Sequence, residues 1–254
     1  MTFFSNRFKD RVALITGAAN GLGKAIAQRL GAEGASLALF DLNNELLHNT
    51  CEELRSQGIS AQAYQVDVSV EEQVTEGLKQ VEADFQKIDI LVHSAGIVGP
   101  TSTKITAYST QDFDRLYAVN LKGTFLMTKY LVQHMEKQQY GRILLIASMA
   151  GKEGNPGMIG YSATKAGVIG IVKSIAKEYA TDGILINGLA PAVIRTPMNA
   201  DTSPEQLAYM TAKIPMARLG EPEEVAAMSS FIVSEENSFS TGFLYDISGG
   251  RATY

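Results

Sequence analysis

The sequence predicts an α/β fold in a single domain, a parallel sheet with helices packed on both faces. Three observations lead there. Short apolar runs alternate with longer stretches of helical periodicity along the whole chain, the pattern of strand–helix–strand crossovers rather than hairpins. Several of those runs are apolar at every position, as strands covered on both faces require. The first run passes directly into a glycine-rich turn and a helix. At 254 residues the chain suits one α/β domain, and no repeat, low-complexity tract or linker divides residues 1–254.

Taken in order, the first strand covers residues 12–16 and leads into Gly17-Ala-Ala-Asn20-Gly21-Leu22-Gly23, followed by a helix to about residue 33. A buried strand that turns through glycines into a helix brings backbone N–H groups and a positive dipole end to a phosphate. The second strand, 36–40, ends on Asp41, 18 residues past Gly23. A carboxylate there accepts hydrogen bonds from adenosine ribose hydroxyls and repels a 2′-phosphate, and no Arg or Lys lies at residues 18–20 or directly after Asp41 to welcome one. That favours NAD over NADP. Asp41 could instead cap the helix at 44–57.

A third strand at 61–66 ends at Asp67 and Val68, and the next helix opens with Ser69 and Glu72, a capping-box spacing. A fourth strand, 88–92, ends at His93-Ser94-Ala95-Gly96. A long helical pattern at 111–137 carries Asn120 shortly before Gly123, which suggests either a local kink or a tolerated polar residue. The fifth strand, 143–147, ends on Ser148. Tyr161 and Lys165 follow, four apart on one helix face. A lysine beside a phenol favours the phenolate, while a serine hydroxyl can steady a carbonyl. Such a pair alone also suits an ordinary surface helix; its company at the carboxyl ends of the strands argues for a site. The sixth strand, 184–189, feeds a Pro- and Met-rich segment, 190–219, expected to form a lid with a short helix capped by Ser203. A helix from Pro222 and a strand at 242–247 complete the pattern.

Composition excludes other classes. A net charge of −5 argues against nucleic-acid binding. No apolar run reaches the roughly 20 residues of a membrane span, and the start lacks a signal-peptide core. One cysteine, Cys51, excludes an internal disulfide and suits a cytoplasmic location. The scattered histidines His48, His93 and His134 offer no metal-ligand spacing.

Thr16 to Gly23, Asp67-Val68, Ser94-Ala95-Gly96, Asn120, Ser148, Tyr161-Ser-Ala-Thr-Lys165 and the stretch from Pro191 to Thr196 resemble the short-chain dehydrogenase/reductase family over essentially the whole chain. The resemblance implies a Rossmann-type, doubly wound fold with a seven-stranded parallel sheet. It also implies hydride transfer between a nicotinamide and an alcohol or carbonyl. Tyr161 would be the general acid/base, Lys165 would lower its pKa and bind the nicotinamide ribose, Ser148 would orient the substrate oxygen, and Asn120 would hold a water. Asp67 and Val68 would meet the adenine, Gly96 the cofactor's path, and Val193 and Thr196 the carboxamide. Two departures are His93-Ser94 for the family's Asn-Asn, and Pro191-Ala192 for its Pro-Gly. His93 is expected to be a satisfied buried histidine.

Lys152, Asn155, Met158 and Arg251 are the candidate substrate residues, and the stretches around them resemble members acting on sugars and deoxy-keto sugar acids. The resemblance further suggests a homotetramer in which Arg251 and Tyr254 approach a neighbour's pocket. The expected partner is a small polar alcohol or ketone. A 3-oxoacyl carrier-protein reductase or general carbonyl reductase is the alternative enzyme, and a non-catalytic NAD-sensing protein the alternative of another class.

Overall fold

A computed structural model of the chain describes residues 6–199 and 204–252. Its sheet has the strands β1 (Val12–Thr16), β2 (Ser36–Asp41), β3 (Ala61–Gln65), β4 (Ile90–His93), β5 (Gly141–Ile146), β6 (Ile184–Pro191) and β7 (Leu244–Ile247). They run in the order β3-β2-β1-β4-β5-β6-β7, every pairing parallel. The chain starts at the centre, winds one way to β3, then crosses back to β4 and winds the other way. The switch between β1 and β4 opens a crevice at the carboxyl edge.

Period-two alternation sends side chains to two cores. Ala13, Ile15, Ile90 and Val92 face α1 (Gly21–Ala32), α2 (Asn44–Ser56) and α9 (Pro222–Ile232). Leu14, Leu91, Ile143 and Leu145 face α3 (Glu71–Phe85), α5 (Gly123–Gln138) and α7 (Ile159–Glu178). Three shorter helices, α4 (Thr110–Leu116), α6 (Met149–Glu153) and α8 (Pro204–Ala212), belong to the carboxyl edge. Strand ends depart from the sequence reading by a residue or two. Residues 242 and 243 fall outside β7, because Gly242 turns at φ +72°.

Helix α3 begins at Glu71 with Val70 at its N-cap and has no capping box; the Ser69 hydroxyl donates instead to Asp67 Oδ1 at 2.6 Å. The long helix over 111–137 is interrupted by a π-helical turn, Tyr117–Lys122, which carries Asn120. The expected cap Ser203 lies outside the described residues, as does Tyr254.

The amino edge is held by ions. Asp89 accepts from the Val12 N–H at 2.8 Å and pairs with Arg11 and Lys87, both at 3.1 Å. Glu33, fully buried, takes Arg29, Arg7 and the Ser230 hydroxyl. The Tyr140 ring is flanked by the guanidinium groups of Arg11 at 4.0 Å and Arg142 at 4.6 Å. Among the described residues no helix is long and apolar enough to cross a membrane.

Candidate active site

A cavity of about 910 Å³ runs along the carboxyl edge. One end is built by the glycine turn. Gly17 and Gly21 take positive φ (+66° and +53°), and a Cβ on Gly23 would stand 2.1 Å from the Gly17 carbonyl oxygen. Only glycine permits that approach. Asn20 caps α1 with no side-chain hydrogen bond, and the first turn holds no acidic residue, so the amides there are open to an anion. A dinucleotide's pyrophosphate fits this cradle.

Asp41 follows at the end of β2. Its Oδ2 accepts from the Ala19 N–H at 3.0 Å and its Oδ1 from Asn43 N–H at 2.9 Å, which fixes the carboxylate on the cavity wall with one lone pair of each oxygen spare. The helix cap is Asn43, which accepts from Leu46 N–H. Asp67 and Val68 line the same wall, as do Ser94, Ala95 and Gly96. The Thr16 hydroxyl organises that last turn by accepting from the N–H groups of Ser94 and Ala95, both at 3.1 Å. Its own proton therefore goes to His93 Nδ1 at 2.9 Å, which fixes the imidazole with its proton on Nε2. His93 Nε2 has no partner among the described residues, so the expected satisfied histidine is only half satisfied.

At the other end Ser148 caps α6 by accepting from Ala150 N–H at 3.1 Å and also hydrogen-bonds Tyr161. Tyr161 enters from the first turn of α7. Lys165, one turn on, donates to the Ile146 carbonyl at 2.7 Å and stands 5.9 Å from the Tyr161 ring centroid. Burial pushes the phenol's pKa up, against the Ser148 hydrogen bond, and pushes the lysine down to about 8. Asn120 does not line the cavity. Its Oδ1 accepts from Ile97 N–H and its Nδ2 donates to the Ile97 carbonyl, both at 2.8 Å, so it fixes the loop after Gly96 from behind.

Pro191, Val193 and Thr196 line the wall beyond β6, and Asn20, Gly21 and Leu22 the facing one. Ala192 avoids positive φ, so the missing glycine leaves no strain. Of the substrate candidates, Asn155, Met158 and Arg251 reach the cavity. Lys152 does not: its ammonium is drawn away to Asp246 Oδ2 at 2.7 Å. Arg251 is also engaged, giving Nε and Nη2 to Glu153 Oε2 and Nη2 to Asn155 Oδ1. Sequence reasoning missed Arg115, Met149, Met198 and Met210 on the cavity wall. Met149 follows Ser148 directly and could have been found; the others come from elements whose approach only the fold defines. The described residues contain no cluster of His, Cys, Asp and Glu fit for a metal.

A nucleotide cradle and a phenol, hydroxyl and ammonium thus open onto one cavity, an arrangement suited to moving a proton at a substrate oxygen beside a bound nucleotide. The family model described as enoyl-(acyl carrier protein) reductase matches residues 17–251. The chain belongs to the short-chain dehydrogenase/reductase family. As a member it is an oxidoreductase. This short-chain dehydrogenase/reductase is 44% identical over 254 residues to the 2-dehydro-3-deoxy-L-rhamnonate dehydrogenase (NAD(+)) of Sphingomonas sp. strain SKA58, with 100% of both chains covered. It is 37% identical over 244 residues to a 3-oxoacyl-[acyl-carrier-protein] reductase of Thermotoga maritima, covering 96% of this chain and 98% of that one. Its fold superposes on the crystal structure of an NAD+-bound xylitol dehydrogenase with a TM-score of 0.91 at 32% identity, covering 96% and 99% of the two chains.

Proposed function

We propose that this enzyme oxidises a secondary hydroxyl of a sugar-derived acid, of the deoxy-keto sugar acid class, with NAD+ as acceptor. The observation that carries the reading is the single cavity in which the glycine cradle and Asp41 meet Ser148, Tyr161 and Lys165. The 44% identical relative supports the substrate class and the cofactor. Asp41, with both oxygens already tied to backbone amides, is a fixed acceptor for ribose hydroxyls and a fixed negative charge against a 2′-phosphate.

Bound NAD+ supplies the hydride acceptor and a positive charge beside the phenol. Ser148 donates to the substrate oxygen and holds the carbinol carbon facing that acceptor. Tyr161, as phenolate, takes the hydroxyl proton while the carbinol hydrogen leaves with its electron pair, giving the ketone. Lys165 would keep a positive charge under the site and hold the nicotinamide ribose; its anchor on the Ile146 carbonyl sets its height. Asn120 positions the loop that carries Gly96. Arg115, which has no ion pair among the described residues, is the guanidinium for the acid's carboxylate.

Tyr161→Phe should cut turnover by about 10²-fold or more, the usual worth of a positioned acid/base, while NAD binding by calorimetry stays intact. Near-normal turnover would sink the mechanism. Arg115→Met should raise KM for acids and leave NAD affinity alone; a loss of NAD affinity instead would move that residue to the cofactor. The second reading, a 3-oxoacyl carrier-protein reductase, is favoured by the 37% identical relatives. It requires NADPH preference, so a screen of sugar acids and acyl ketones with both nicotinamides separates the two. A purely sensing role would leave Tyr161 and Lys165 without a purpose.

A further inference from the structure

Arg251, which follows β7, stands on the cavity wall together with Asn155 and Met158. Its side chain is only 8% exposed, and its guanidinium is turned inward. Nε and Nη2 donate to Glu153 Oε2 at 3.0 and 2.6 Å, and Nη2 donates also to Asn155 Oδ1 at 3.2 Å. The segment so gripped is tied to the helix that carries Tyr161. Asn155 N–H donates to the Ser162 hydroxyl at 3.0 Å, Met158 N–H to the Asn155 carbonyl at 3.1 Å, and Ser162 N–H to the Met158 carbonyl at 2.9 Å. These bonds hold Asn155 at the Tyr161 end of the cavity.

A guanidinium has donors and no acceptor, so the Asn155 atom that faces it is the oxygen. That choice turns Nδ2 the other way, to the Met158 sulfur at 3.8 Å. A thioether is a weak acceptor, and an amide nitrogen spends little of its two donors on one. The cavity wall therefore presents a nearly unspent N–H group whose direction is set from behind. An oxygen with a lone pair is what such a donor gains most from.

We infer that Arg251, backed by Glu153, is a positioning residue that locks the Asn155 amide with Nδ2 towards the substrate. Nδ2 then donates to a carbonyl, carboxylate or hydroxyl oxygen beyond the reacting carbon. Arg251 itself does not touch the substrate. The inference rests on Tyr161 as the proton-transfer group and holds under either substrate reading above.

The test is a double-mutant cycle on the intact enzyme. The probes are 2-dehydro-3-deoxy-L-rhamnonate with NAD+ and acetoacetyl-N-acetylcysteamine with NADPH, each with an acceptor oxygen beyond the reacting carbon. The cycle is run on the one that the parent turns over, so the sugar-acid reading can fail while the inference stands. Turnover of neither overturns both. Asn155→Ala should raise KM roughly five- to tenfold, the worth of one neutral hydrogen bond. Arg251→Met should raise it several-fold, and the double variant should be no worse than Asn155→Ala alone. Cofactor affinity and the pH profile of kcat should stay as in the parent, since Tyr161 is untouched. Asn155→Asp keeps an acceptor for Arg251 but lacks the donor, and should lose as much as Asn155→Ala. Losses that add in the double variant would show that Arg251 acts by another route and overturn the inference. An unchanged KM in Asn155→Ala, Asn155→Asp or Arg251→Met would overturn it as well.

Discussion

The imidazole of His93 is kept neutral by its place in the core, with Thr16 donating to Nδ1 and burial, helped by the Lys165 charge, holding its pKa at about 3. In the unfolded chain it titrates near 6.5. Between these values the unfolded state binds more protons, so this group's contribution to stability is complete above pH 6.5 and is lost as pH falls towards 3. Within that window the slope is about 1.4 kcal/mol per pH unit. His93→Asn should flatten the acid limb of a denaturation series run from pH 7 to pH 4; an unchanged limb would mean that other groups govern it. The placement of single residues was legible in the sequence wherever chain neighbours alone set it. Ser148 at a strand end and Tyr161 with Lys165 on one helix face are of that kind. Lys152 was not, because its partner Asp246 lies 94 positions away and is brought beside it only by the packing of β7.

Elements carry the cofactor end of the cavity. The first turn works because Gly23 lets α1 start against the carbonyl of Gly17. Gly23→Ala would put a Cβ 2.1 Å from backbone oxygen, with no flexible side chain to yield. NAD affinity should fall at least tenfold, which is about 1.4 kcal/mol, with the secondary structure retained by circular dichroism. Affinity within twofold of the parent would refute the cradle. The succession of strands and helices, the glycine turn and the acidic strand ends could be read from the sequence, since each depends on neighbours in the chain; the order in which the strands pair could not. The π-helical turn could be read only as a possible kink at Asn120. Tertiary contacts flank it: Gly123, just beyond, abuts Val68, where a Cβ would stand 2.9 Å from Val68 Cγ2. The capping box at Ser69 failed because its backbone N–H, which the box would give to Glu72, goes to Asp67 Oδ1 at 2.9 Å.

For the whole molecule, large apolar side chains remain uncovered on the α4–α5 surface, where Phe113, Tyr117 and Phe125 recur at intervals of four and eight residues. Together they mark a face that a second copy would cover, in line with the homotetramer inferred from the family resemblance. Light scattering should give about four chain masses at micromolar concentration; a monomer would refute that assembly. The two rims of the sheet divide their duties. The cradle, Asp41, Ser148 and Tyr161 belong to the carboxyl rim, and the ionic clasps of Asp89, Glu33 and Tyr140 to the amino rim, a full strand length away. For laboratory evolution this separation amounts to two independent dials. Substitutions that raise heat tolerance can be gathered around Arg11 and Tyr140 without slowing the reaction, and the cavity wall at Met149 and Met158 can be recarved for new alcohols on a scaffold whose fastening lies elsewhere.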